Sequence, residues 1–468
     1  MFRSIWTTLG NCFKIPELKS RILFTIMLLA VCRLTAFIVI PGIDGQALAK
    51  FFNEHAQSGG GSLLVMYNTF AGGALGNCAV SSLGIMPYIS ATIIIQLLTA
   101  VWPRLSKLAR EEGGRTKIIQ YGRYLTVLLC IGQGWYFAHN WLTPETAFSG
   151  FQGRLVKFEN PFIYYFVTVT VMTAGTMLLM WLGEQITDRG IGNGVSLVIT
   201  IGILARLPNA VQGAIDMFST HGGTVEAQHN IWTTGPVLLC LMVLVVGGVI
   251  AITQAQRKIP VQYAQRAVGR KMYAGGTSFM PLRVNYSGVM PIIFAQSILM
   301  FPQPLFRNLE NWITAPSLKF LHDACVWAAN QLSYGSVIYL TIYSLMILFF
   351  SYFWVATQFN EIQIADDLKK NGGYIPGVRP GQGTSEYLHN AMSRITLAGA
   401  IFLTVIATIP IILSRKMNID QNVASFFGGT SILIAVGVLL DTMRQVESHL
   451  MMRHYDGFLK KGRVRGRF

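Results

Sequence analysis

Two pairs of β-branched residues stand four apart, Ile85 with Ile89 and Val195 with Ile199, each just beyond a glycine-containing break in an apolar run. That spacing puts both side chains of a pair on one helical face. Such a face can hold no proton, metal or phosphate; it can exclude water and ions, or simply pack, and periodicity leaves bundle packing and lipid contact open. Ionisable groups at the same depth are scarce. Arg33 lies well inside an apolar run, Arg206 falls within another, and Glu184 and Asp441 sit at run ends. A charge in the bilayer is expensive, so Arg33 reads as a gating or packing residue met by carbonyls, by an ion-pair partner or by snorkelling. No Walker loop, H-E-x-x-H pair or nucleophile motif occurs, which argues against catalysis and nucleotide binding, and no cofactor is expected. The six cysteines form no C-x-x-C pair, so neither a metal site nor a disulfide framework is expected.

These residues need long apolar elements to position them. The chain has 468 residues, 52% of them hydrophobic and only 12% charged, with a mean hydropathy of +0.46. That composition belongs in a membrane. A hydrocarbon core about 30 Å thick needs roughly 20 mostly apolar residues per helix. Ten runs qualify: 22–40, 83–101, 125–141, 162–183, 192–207, 236–252, 287–301, 335–356, 396–413 and 427–440. The first is basic-flanked but long, contains Arg33 and lacks a small-x-small cleavage site, so it reads as a retained span rather than a signal peptide.

An even number of spans puts both termini on one side. Lys and Arg crowd the termini and segments 102–124, 184–191, 253–286 and 357–395 by about four to one over the opposite loops, which makes that side cytoplasmic. Five spans per half give any repeat between halves an inverted topology. The expected organisation is a cytoplasmic segment at 1–21, an N-terminal half at 22–215, a C-terminal half at 216–440 and a basic tail at 441–468.

Five strings then occur in order: GGAL with LGIMPYISATIIIQLL at 72–98, MLLMWLGEQITDRGIGNG at 177–194, PLRVN with GVMP at 281–291, YIPGVRPG at 374–381 and FFGGTSILI at 426–434. Together they resemble the bacterial SecY family of protein-conducting channels, over nearly the whole chain. The resemblance implies an all-α membrane protein whose ten helices form two inverted five-helix halves around an hourglass pore. It implies a waist of Ile85, Ile89, Val195, Ile199, Ile293 and Ile434. It also implies a plug at about 63–75, carried by Leu63, Leu64, Met66, Tyr67, Phe70, Gly72, Gly73 and Leu75. Non-helical backbone is tolerated at membrane depth only where protein or a water-filled cavity surrounds it. On this reading, Gly72, Gly73 and Gly76 turn the chain, and Gly84 and Pro87 stand near the start of the resumed helix. A lateral gate between the second and third helices and the seventh and eighth would carry the polar residues Thr92, Gln133 and Gln296. Packing hydrogen bonds between helices would account for the same residues.

The loop 253–286 carries Arg257, Lys258, Arg266, Arg270, Lys271 and Arg283 with no acidic residue. Such a loop suits a polyanion such as ribosomal RNA, and topology plus anionic lipid would also explain it. The YIPGVRPGQG turn holds Arg379 at a stiff, exposed position, and the resemblance makes it a docking residue. Expected partners are SecE and SecG, the SecA motor ATPase, the ribosome including its RNA, signal sequences, unfolded preproteins and membrane lipids, with insertase and SecDF-type proteins as accessories. The expected location is the bacterial inner membrane. A small-solute transporter would also suit inverted halves and broken helices, but it needs convergent polar groups where this waist is aliphatic. A scaffold without a through-pore would leave ring and plug without purpose.

Overall fold

The computed structural model describes residues 15–45, 47–49, 63–111, 113–144, 155–218, 231–263, 266–268, 271–273, 276–312, 319–417, 423, 426 and 429–461. The chain divides into two compact units, Met1–Gly223 with Asp420–Val423 and Val438–Phe468, and Thr224–Ile419 with Ala424–Gly437.

In the first unit the elements run α1 (Pro16–Leu34), α2 (Leu63–Phe70), α3 (Met86–Val101), α4 (Pro103–Arg110), α5 (Gly114–Leu142), α6 (Pro161–Arg189), α7 (Gly194–Leu204) and α8 (Leu207–Phe218). Prolines stand in the first two helical positions of α1, α3, α4 and α6, where the missing N–H costs nothing. Asn160 caps α6 by accepting from the Phe162 N–H at 3.2 Å, and Asn193 caps α7 by accepting from Ser196 at 3.2 Å. Inside the spans Thr126, Thr173 and Thr200 donate to the carbonyl four residues back, so their hydroxyls need no outside partner. α3 packs on α5, and α5 on α6; across the latter pair the Tyr164 hydroxyl donates to the Ala138 carbonyl at 2.9 Å.

The second unit follows with α9 (Ile231–Gln254), β1 (Gln256–Tyr263), β2 (Arg266–Val268), β3 (Lys271–Tyr273), β4 (Thr277–Arg283), α10 (Met290–Leu299), α11 (Pro302–Trp312), α12 (Lys319–Gln331), α13 (Val337–Gln358), α14 (Glu361–Lys370), β5 (Gly373–Tyr374) and α15 (Gln382–Lys416). The last helix, α16 (Thr430–Lys461), begins in this unit and ends in the first. Phe294 of α10 meets Phe350 and Trp354 of α13 edge-on at 5.7 and 5.4 Å.

Among the described residues five helical stretches are long and apolar enough to cross a membrane: Pro161–Arg189, Gly194–Ile215, Gly235–Gln254, Val337–Lys370 and Gln382–Leu413. The pair α3 and α4 makes a sixth, bent by 103°. Helices also lie over the other four expected spans, α5 covering all of 125–141 and the other three helices covering parts with shifted ends. α1 starts at Pro16 and stops at Leu34, because the rest of the apolar run turns and forms an antiparallel bridge from Val39 to Ala79. α10 covers only Met290–Leu299 of the expected 287–301, since Gly288 takes φ +60° just before it. The chain is mostly helical, and the five short strands among the described residues lie in polar loops between the helices.

Candidate functional site

The segment after α2 holds the site's least common geometry. α2 ends in a Schellman closure: Gly73 N–H donates to Asn68 O at 2.8 Å and Gly72 N–H to Thr69 O at 3.1 Å, with Gly72 at φ +65°. Residues 71–85 then run without helix, and most are buried, with Ala71, Gly73, Asn77 and Val80 half-buried. Side chains and neighbouring backbone satisfy the polar groups of this strap. The Tyr67 hydroxyl donates to Leu83 O at 2.8 Å, the Gly76 N–H donates to Asn68 Oδ1 at 2.9 Å, and Ser82 Oγ donates to Ala74 O at 3.1 Å. The turn after α1 adds backbone bonds, from Val80 N–H to Ile38 O at 2.8 Å and from Ile40 N–H to Cys78 O at 2.9 Å. Helix α6 admits the strap only because residue 175 is glycine: a Cβ there would stand 2.1 Å from the Val80 carbonyl oxygen.

The residues expected in the plug divide between α2 and this strap. Leu63, Leu64, Met66, Tyr67 and Phe70 lie in α2, while Gly72, Gly73 and Leu75 lie beyond it. Tyr67, Phe70 and Leu75 are buried; the side chains of Leu63, Leu64 and Met66 fall outside the described set. Sequence reasoning missed Asn68, Gly175 and Gly202. A buried amide within an apolar stretch was the available signal for Asn68, whereas the glycines become meaningful only once their neighbours are known.

The aliphatic pairs follow two such turns. Gly84 takes φ +59° and Pro87 occupies one of the first two positions of α3, so Ile85 is the residue before the helix rather than a member of it. This corrects the reading of Ile85 and Ile89 as two steps along one helical face, although Ile89 N–H still donates to Ile85 O at 3.2 Å. The turn before α7 is held from three sides. Ile191 N–H donates to Thr25 Oγ1 at 3.1 Å, Gly192 N–H to Gln445 Oε1 at 2.8 Å, and Gly194 N–H to Thr187 Oγ1 at 2.9 Å. Val195 and Ile199 then lie within α7, Val195 half-buried and Ile199 buried. Ile85 shares a cavity of about 30 Å³ with Val198, Ile201 and Gly202 of α7, so the α7 residues it approaches are neighbours of the expected pair. In the second unit Ile293 on α10 and Ile434 on α16 are both buried.

Of the polar gate residues, Thr92 donates to the Ile89 carbonyl of its own helix at 2.8 Å. Gln296, buried on α10, donates through Nε2 to Thr430 Oγ1 of α16 at 2.8 Å. Gln133 is half-buried on α5.

The two loops expected to be cytoplasmic and to dock partners are joined in the second unit. β1 pairs antiparallel with β4 from Gln256 opposite Arg283 to Gln262 opposite Thr277, and with β5 through Gln262 opposite Tyr374 and Tyr263 opposite Gly373. Alternation turns Ile259, Val261 and Leu282 inward onto Val355, Phe359, Ile375, Leu388 and Met392. Arg257, Lys258 and Arg379 remain exposed. The turn at Arg379 is fixed by Gly377 at φ +81° and Gly381 at φ +96°, and by Thr384 Oγ1 donating to the Arg379 carbonyl at 3.0 Å. Arg266 and Lys271 lie in β2 and β3 with their side chains outside the described set, and Arg270 lies outside the described residues.

Long apolar helices, a buried non-helical strap folded into its own bundle and an exposed basic sheet define a polytopic helical membrane protein. Solved structures share the fold: a protein-conducting channel at TM-score 0.59, 18% identity and coverage of 92% of this chain and 91% of that one. Sec61 in the canine ribosome-channel complex from the endoplasmic reticulum follows at TM-score 0.54 and 17% identity, with the same coverages of 92% and 91%. The SecY family model matches residues 79–443, and the protein translocase subunit SecY of Chlamydia muridarum is 44% identical over 469 residues, covering 98% of this chain and 99% of that protein. The chain belongs to the SecY family.

Proposed function

We propose that the chain is the central channel subunit of the general secretory translocon, passing unfolded secretory polypeptides across the membrane and releasing transmembrane segments sideways into lipid. The observation that carries this reading is the buried strap 71–85 leading directly into Ile85 and Ile89. A translocating chain presents every side-chain type, so its narrowest passage must bind none of them. Branched aliphatic groups offer no charge or hydrogen bond, and they exclude water when the passage is empty. In this reading Ile85, Ile89, Val195, Ile199, Ile293 and Ile434 are the ring, the segment 63–75 is the plug, and Thr92, Gln133 and Gln296 belong to the lateral gate.

The channel itself is passive and not an enzyme; SecA or the translating ribosome drives it, with SecE and SecG as membrane partners. Arg257, Lys258, Arg266, Arg270, Lys271 and Arg379 dock the driving partner, with ribosomal RNA attracted by the basic loop in a salt-dependent way. The halves divide near residue 215, the protein resides in the bacterial inner membrane, and both termini are cytoplasmic.

The test places a photo-crosslinking residue at Ile89 in the reconstituted translocon and presents a stalled secretory chain. Crosslinks to the mature part of that chain, lost with a defective signal sequence, are expected. Their absence at Ile89, Ile199 and Ile293 alike, in a complex shown to be engaged, would return these residues to packing.

A further inference from the structure

The closing turn of α2 is gripped by two arginines that no acidic side chain neutralises among the described residues. Arg33, in the last turn of α1, reaches across 39 residues of sequence to donate from Nη1 to the Gly72 carbonyl at 2.9 Å. Its guanidinium also stands 5.4 Å from the Phe37 ring centre. Arg206, two residues beyond the end of α7, stands against Gly73: a Cβ on Gly73 would meet Arg206 Nη2 at 3.2 Å and Nε at 3.4 Å. A Cβ on Gly72 would meet Arg33 Nη1 at 2.5 Å and the Gly202 Cα at 2.9 Å, so α7, the turn and Arg33 are in mutual contact.

Three helix ends therefore meet at two guanidiniums. The C-terminal turn of a helix carries partial negative charge on carbonyls without intrahelical partners, and cations are stabilised there. Arg33 follows this rule on α1 but does not stop at its own helix or snorkel away. Its donor goes to the carbonyl of the residue that closes α2.

We infer that Arg33 and Arg206 are positioning residues that latch the α2 turn, holding the plug in its seat by guanidinium contacts to Gly72 and Gly73. This rests on the reading of 63–75 as the plug. Such a latch is strong enough to hold and can still be released. A carbonyl bonded to a charged donor is held more tightly than one bonded to a neutral donor. The cavity of about 30 Å³ lined by Arg33, Phe70, Ala71, Gly84 and Ile85 has room for water to replace that bond as the turn leaves. A plug held only by apolar burial would have no such exchange partner.

Cys78 reports on the seat without an added label: it lies in the strap and is 0% exposed, as is Cys130 on α5. The experiment uses full-length chain with its membrane partners in proteoliposomes, in two backgrounds retaining only Cys78 or only Cys130. The rate of alkylation by a membrane-impermeant maleimide is read. Arg33→Leu should raise the Cys78 rate by about tenfold, the loss of one charge-assisted hydrogen bond, and Arg206→Leu, which removes only the contact with Gly73, should raise it by less, with Cys130 still protected in both. Arg33→Lys, which keeps a charged donor, should restore most of the protection and covers the case in which leucine impairs folding. Unchanged Cys78 rates in both leucine variants overturn the latch, and so does an equal rise at Cys130, which would mean that the arginines hold the whole unit. A stalled secretory chain on the wild-type channel separates the two ideas. If Cys78 stays protected there, the plug reading fails; if it becomes reactive while the arginine variants are silent, only the latch fails.

Discussion

The strap at 71–85 and the sheet at 256–283 are both non-helical segments rich in turn-forming residues, yet they satisfy their backbones in opposite ways. The strap is buried, and Tyr67, Asn68 and Ser82 bond its N–H and C=O groups one by one. The sheet pairs its groups in a regular ladder and leaves one face to solvent. Where water is absent every polar group needs an individual partner, and the sequence must supply side chains of the right length at single positions. Where water is present a repeating backbone pattern suffices, and the exposed side chains are free to be chosen for charge.

The contrast can be broken most severely at the strap's closest approach. Gly175→Leu should unseat Val80, whose carbonyl oxygen stands 2.1 Å from the new Cβ, with a loss of about 3 kcal/mol or more as backbone must move. A lower melting temperature of the purified complex and ion leakage through resting vesicles are the expected readings. Gly72→Ala ranks next: it adds about 1–2 kcal/mol of left-handed backbone cost to a Cβ crowded by Arg33 and Gly202, and thermal melting should report it. Tyr67→Phe leaves the buried Leu83 carbonyl without the hydroxyl and should cost about 1–3 kcal/mol by the same assay. The solvent-facing segment should behave in the opposite way. Arg257→Glu with Arg379→Glu should leave stability within about 0.5 kcal/mol. It should weaken binding to ribosomes and flatten the dependence of log affinity on log salt by about one for each phosphate no longer neutralised. If the strap variants proved harmless, or this exposed pair destabilising, the contrast would collapse.

The same contrast explains what the sequence disclosed. Long apolar runs, the glycine breaks at 72–84 and the turn before Val195 were legible, because apolar length and glycine placement are local signals. Ile85 was read as helical, since Pro87 restricts the start of α3 only to within a residue or two. The joining of two distant loops through β1 and β5 was not legible: β5 is two residues long, and its pairing depends on chain segments more than 100 residues apart being brought together. Arg206 could be seen as a charge within an apolar stretch, but its neighbour Gly73 lies too far away in the sequence for any pattern to join them.

The short rung between β1 and β5 has a mechanical consequence. Seven residue pairs tie β1 to β4, whereas two tie it to β5. A load applied to the turn carrying Arg379 is thus borne by a hinge that peels long before the main ladder shears. The hairpin would stay folded while the Arg379 turn swings, so a pull on one loop would not unravel the other.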